Sequence, residues 1–145
     1  MKMPKINHVG IVVTDLSAAK AFFLDLGLEV LEDLEVKGEW VERIIGLNDV
    51  RETVVMLRTP DGEATLELVK FHTPSDEKGI QQSFANTLGI RHIAFVVEDI
   101  EAVVAKLKRK GAGLFGEIQK YENSWKLCYI RGPEGIILEL AEQIK

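Results

Sequence analysis

Two stretches decide the fold of this chain: Ile6-Asn7-His8-Val9-Gly10-Ile11-Val12-Val13-Thr14-Asp15-Leu16 and Ile90-Arg91-His92-Ile93-Ala94-Phe95-Val96-Val97-Glu98-Asp99-Ile100. Apolar positions fall on apolar positions, and His8 falls on His92. A second pair of segments follows in the same order. Met56-Leu57-Arg58-Thr59-Pro60-Asp61-Gly62 precedes Leu66-Glu67-Leu68, and Tyr129-Ile130-Arg131-Gly132-Pro133-Glu134-Gly135 precedes Leu138-Glu139-Leu140. Either match alone could arise by chance. Both in one order indicate a duplicated unit.

Each half reads as β-α-β-β-β. Ile6 to Val13 is β-branched and apolar, a buried strand. Asp15 or Ser17 can cap a helix over Ala18 to Asp25 that ends at Gly27. Leu28 to Val36 alternates as a strand, and Thr53 to Arg58 pairs with Thr65 to Phe71 around Pro60-Asp61-Gly62. In the second half, Ile90 to Val97 is a strand and Ile100 to Lys110 a helix stopped by Gly111. Leu114 to Ile118 is a weak strand. Trp125 to Arg131 and Ile136 to Ala141 form a closing hairpin. The expectation is one domain over residues 1–145, an α+β fold of two modules, 6–71 and 90–142, joined by a linker over 72–89 that holds a short helix.

Composition bounds the partners. The 145 residues are 46% hydrophobic and 28% charged, with a formal net charge of -5. This suits one compact soluble domain and disfavours a nucleic-acid partner, which needs a concentrated basic surface. Lys106, Lys108, Arg109 and Lys110 form the only basic cluster, where they complement a helix C-terminus. The run Met1-Lys2-Met3-Pro4-Lys5 leads straight into a strand, with no signal-peptide core, and no segment has membrane length. Cys128 is the single cysteine, so no intramolecular disulfide forms and a reducing, cytoplasmic compartment fits.

Strand parity places four residues. His8 shares a face with Gly10 and Val12, and His92 with Ala94 and Val96, so a very small residue follows each imidazole by two positions. Leu66 and Leu68 point one way and Glu67 the other; Leu138, Leu140 and Glu139 repeat the pattern. A strand carboxylate buried without a partner is costly. Two imidazoles and two carboxylates gathered by duplication are reconciled by a divalent cation, because neutral His nitrogen and carboxylate oxygen both ligate first-row metals. His8, Glu67, His92 and Glu139 are therefore the candidate ligands of one ion: nickel, cobalt, zinc, manganese or iron. His72 has no counterpart in the repeat and reads as a surface residue. Lys37 to Asn48 interrupts the repeat with Trp40, Ile44 and Ile45 at helical spacing. Trp40 and Trp125 are candidates for the mouth of the site.

These residues resemble the vicinal-oxygen-chelate superfamily over nearly the whole chain, from Ile6 to about Glu142. It includes glyoxalase I, methylmalonyl-CoA epimerase, fosfomycin-resistance enzymes, extradiol dioxygenases and bleomycin-resistance proteins. The resemblance implies two βαβββ modules in a curled, half-open mixed sheet, with metal ligands on the first and last strands of each. The set His8, Glu67, His92 and Glu139 is most similar to that of bacterial-type glyoxalase I. The arginine that glyoxalase I carries on its first strand to hold glutathione is missing from Val9-Gly10-Ile11-Val12-Val13. The implied activity is that of a metal-dependent lyase or isomerase, like lactoylglutathione lyase or an epimerase. It would act on a small oxygen-chelating substrate through an enolate or oxyanion, with Glu139 or Glu67 as the base. The resemblance also admits a non-catalytic small-molecule-binding or resistance protein, a dioxygenase, and a homodimer that exchanges modules between chains.

Overall fold

A computed structural model describes residues 3–144. Met1 and Lys2 of the N-terminal run, and Lys145 at the end of the expected domain, lie outside the described residues. The chain divides into two compact units, Met1–Gly79 and Ile80–Lys145. The boundary falls inside the expected linker.

The first unit contains β1 (Val9–Val12), α1 (Leu16–Leu26), β2 (Glu29–Lys37), α2 (Glu39–Ile45), β3 (Arg51–Arg58) and β4 (Thr65–Thr73). Its strands form an open mixed sheet in the order β1-β4-β3-β2, with β1 parallel to β4 and the other pairs antiparallel. The second unit contains β5 (His92–Val96), α3 (Ile100–Arg109), β6 (Gly113–Tyr121), β7 (Trp125–Arg131) and β8 (Ile137–Gln143). Its order is β5-β8-β7-β6, again with one parallel pair, β5 and β8. The duplication read from the sequence is thus a duplication of topology. The fold is α+β, as expected.

Equivalent residues start the equivalent helices. Asp15 accepts the Ala18 N–H at 3.0 Å, and Asp99 accepts the Ala102 N–H at 3.1 Å. Each satisfies one of the donors that a helix leaves free at its first turn. Asp15, not Ser17, is the cap of α1. At the other end Gly27 has φ 120° and donates its N–H to Phe23 and Leu24 carbonyls, a conformation that glycine adopts without steric cost.

One face of each sheet is apolar. In the first unit Leu57, Leu66, Leu68, Ala19 and Phe23 are buried, and α1 lies against β4. In the second unit Ile130, Leu138, Leu140, Ile100 and Leu107 are buried, and α3 contacts β7 and β8. Burial of the leucine, isoleucine and phenylalanine side chains stabilises by roughly 1.5–3 kcal/mol each, which fixes the register of every strand that carries them. The glutamates between the leucines are thereby set on the opposite faces.

Three expectations need correction. The first strand is shorter than Ile6 to Val13 and begins one residue after His8. The weak strand is longer than Leu114 to Ile118, because a register shift between Phe115 and Gln119 lets pairing with β7 resume out to Tyr121. In the linker over 72–89, His72 and Thr73 continue β4 and the rest is turns, bends and irregular backbone; Ile80, Phe84 and Leu88 stand at helical spacing but are exposed, so no packing stabilises a helix there. The helix expected around Trp40 does form, as α2, flanked by Gly38 and Gly46. Among the described residues no helix is long and apolar enough to cross a membrane.

Candidate metal centre

The parallel pairs place a histidine and a glutamate side by side in each unit. In the first, Gly10 lies across from Glu67 and His8 precedes Gly10 by two residues. His8 Nε2 is 3.8 Å from Glu67 Oε2. In the second, Ala94 lies across from Glu139 and His92 precedes Ala94 by two. His92 Nε2 is 3.3 Å from Glu139 Oε1. The small residues seen in the sequence stand opposite the carboxylates, where they leave the space in which each glutamate lies. A Cβ added to Gly10 would come within 3.8 Å of Glu67 Oε1.

The donors suit a divalent ion. All four side chains are between 21% and 37% exposed, so they are sheltered yet reachable. His8 Nδ1 is 2.6 Å from Asn7 Oδ1. Since that oxygen accepts, Nδ1–H donates to it, the arrangement of a histidine that would ligate a metal through Nε2. Two ligand atoms about 2.1 Å from one ion, at angles between square and tetrahedral, stand about 3.0–3.4 Å apart. The His92–Glu139 pair has this separation and the His8–Glu67 pair exceeds it by a few tenths of an ångström.

Around Glu139 lies a cleft of about 410 Å³ lined by Phe115, Gly116, Glu117, Leu127, Cys128 and Tyr129. Tyr129 lies across from Glu139 in the β7–β8 pairing, and its ring centroid is 5.0 Å from that of His92. Burial pushes the Cys128 thiol up, which keeps it protonated, and its side chain is that of a strand residue in the core.

In the first unit the corresponding face is closed at one end by α2. Val41 of that helix packs with Val36, Val50, Val54 and Val69. Val54 and Val69 lie across from each other, two residues along the strands from the Met56–Glu67 pair and on the same face. Glu52 shares this face and is only 8% exposed. Among the described residues its carboxylate makes no side-chain hydrogen bond or ion pair. Burial, and then the charge of Glu67, hold its carboxyl above the usual carboxylate range.

Two other groups are structural. His72 Nε2 lies 2.7 Å from Thr53 Oγ1, which also donates to Glu35. His72 faces the opposite side of β4 from Glu67, beside a cleft of about 460 Å³ that includes Ser17 and Lys70. The carboxylates of Asp99, Glu101 and Glu142 approach one another, but each has a local role. Asp99 caps α3, Glu142 accepts the Ile100 N–H at 2.8 Å, and Lys126 lies 3.0 Å from Glu101 and 3.7 Å from Glu142.

The profile of the glyoxalase/bleomycin resistance protein/dioxygenase superfamily matches residues 7–129. The chain belongs to this superfamily. It is 41% identical to a glyoxalase family protein from Bacillus cereus, whose crystal structure it matches with a TM-score of 0.96, covering 100% of this chain and 97% of that one. The uncharacterized protein YaeR of Escherichia coli (strain K12) is 28% identical over 97% of this chain and 98% of its own length. The fosfomycin resistance protein FosX of Listeria monocytogenes shares the fold alone: 16% identity, a TM-score of 0.62, and coverage of 96% and 93%. Members of the superfamily often use a divalent metal ion, bind small molecules and form dimers.

Tyr129, Phe115, Glu52 and Arg131 were not singled out from the sequence. Parity alone could have placed Tyr129 and Glu52 on the glutamate faces, once the strand pairings were known.

Proposed function

We propose that this chain is a metal-dependent enzyme of the glyoxalase type, a lyase or isomerase acting on a small substrate that offers two neighbouring oxygens. The modules 6–71 and 90–142 act together as one domain. His8, Glu67, His92 and Glu139 hold a single divalent ion. The observation that carries this reading is the twice-built His–Glu pair: in each unit a histidine two residues before a small residue, Gly10 or Ala94, that lies across a parallel strand pair from the glutamate.

When bound, the ion supplies electrophilic stabilisation of charge that develops on substrate oxygen. The protein supplies the rest. Asn7 fixes the His8 ring by accepting from Nδ1. Tyr129 and Phe115 line the space beside Glu139 and give a substrate apolar surface to rest on. Glu139 is the group that takes the proton from substrate carbon, because it borders a cleft large enough for a small molecule. Glu67 is the alternative. Transfer needs the carboxylate within hydrogen-bond reach of the carbon-bound proton.

The test is metal analysis of the purified protein, followed by a screen of dicarbonyl–thiol adducts and acyl-thioesters with that metal restored. Exchange of a substrate C–H for solvent deuterium, lost in Glu139→Gln with metal retained, supports the reading. Tight binding of small molecules without exchange or turnover points to a binding or resistance protein. Oxygen-dependent ring cleavage points to a dioxygenase. Either of these outcomes overturns it.

A further inference from the structure

The two halves of the repeat share an arginine but differ in what stands across from it. Arg58 and Arg131 are equivalents, each ending the third strand of its unit just before the proline-containing turn. In the first unit Arg58 Nε lies 3.1 Å from Glu29 Oε1, and Glu29 stands across from it in the β2–β3 pairing. The same pairing in the second unit sets Gly113 across from Arg131. The position of the counter-ion there holds no side chain.

Among the described residues no carboxylate pairs with Arg131. Its Nη2 donates to the Ser83 carbonyl at 2.8 Å and Nη1 to the Gly135 carbonyl at 3.4 Å. The guanidinium carbon lies 4.5 Å from the Phe115 ring centroid and 5.8 Å from that of Phe84. These contacts hold the group in place without cancelling its charge. They also leave part of its five N–H donors free. Arg131 is half-buried, and a cation sheltered from water attracts an anion more strongly than an exposed one. On β7 it lies two residues from Tyr129, on the face that bears Glu139. Phe115, over which it stacks, lines the cleft at Glu139.

We propose that Arg131 binds an acidic group of the substrate, a carboxylate or a phosphate monoester, which extends from the Glu139 cleft past Tyr129 and Phe115. The planar fork of a guanidinium suits both. The assignment of that group to a substrate rests on the proposed role of the Glu139 cleft. The presence of an anion site at Arg131 does not, so the two fail separately.

The arginine Nε–H signals of the full chain, followed by NMR, test this with inorganic phosphate and acetate as probes, with and without divalent metal. The Arg131 signal shifts with saturation for at least one probe, and the probe that saturates names the acid. The Arg58 signal, with its carboxylate already in place, does not saturate. Gly113→Glu supplies the missing counter-ion, and a Cβ there meets nothing within 4 Å. It weakens binding of the probe at least tenfold and leaves the metal-induced rise in melting temperature intact. If Arg131 and Arg58 shift alike and without saturation, or if Gly113→Glu leaves the titration unchanged, Arg131 is only a clamp on the segment around Ser83. Both results can be read without an Arg131 variant, so they stand even if Arg131→Gln fails to fold.

Discussion

Gly10 and Glu67 face each other across the parallel pairing of β1 and β4, as Ala94 and Glu139 do across β5 and β8. The space beside each carboxylate is therefore set by the side chain on the neighbouring strand. At Gly10 an added Cβ makes ordinary contact with Glu67 Oε1, at 3.8 Å. We expect Gly10→Ala to bind metal like the parent. Gly10→Leu should push the Glu67 carboxylate aside and weaken metal at least tenfold, with the apolar faces untouched. Titration calorimetry with zinc or nickel checks both; equal affinity in Gly10→Leu would mean that Glu67 does not depend on this space.

Glu52 is expected to cost stability at neutral pH. Its carboxyl is held high by burial and by Glu67, so the folded protein binds its proton more tightly than the unfolded chain does. Stability from this group is then lost as pH rises from the ordinary carboxylate range through the raised folded value. Glu52→Gln removes the charge and should raise the melting temperature at pH 7 by roughly 3 °C, about 1 kcal/mol. The gain should vanish at a pH below the ordinary range. Thermal unfolding of both proteins across pH measures it, and a gain independent of pH would contradict the cause given.

The inserted helix α2 separates fold from specificity. Val41 is buried in the cluster over β3 and β4, whereas Trp40 is 60% and Ile44 72% exposed. Val41→Ala should destabilise by about 1.5 kcal/mol, two methylenes' worth of burial. Trp40→Phe should leave folding and metal affinity unchanged and weaken an oxyanion ligand. If Trp40→Phe instead shifts the oligomeric state with ligand binding intact, α2 is a structural element and not a wall.

The cap of α1 was legible only as Asp15 or Ser17, and Asp99 was not singled out. The duplication was legible from residues alone, because apolar alternation acts locally. The parity that set Glu67 and Glu139 against their flanking leucines was legible for the same reason. The role of Arg131 was not, since it depends on Gly113 replacing Glu29 across a strand pair, and register is a tertiary property. Glu52 was also missed. Its isolation comes from Val41 and its neighbours closing over one end of the sheet, which no local pattern records. The short first strand shows the limit of propensity: Ile6 is apolar but lies 85% exposed, with nothing to pack on within its unit.

The most direct measurement is the response of the melting temperature to divalent metal, alongside metal content per chain. A ligand specific to the native state must stabilise it. We expect one ion per chain and a clear rise in the parent, and loss of both in His8→Ala and in His92→Ala. Full metal content and a parent-like rise in either variant would contradict the assignment of the paired histidines as ligands.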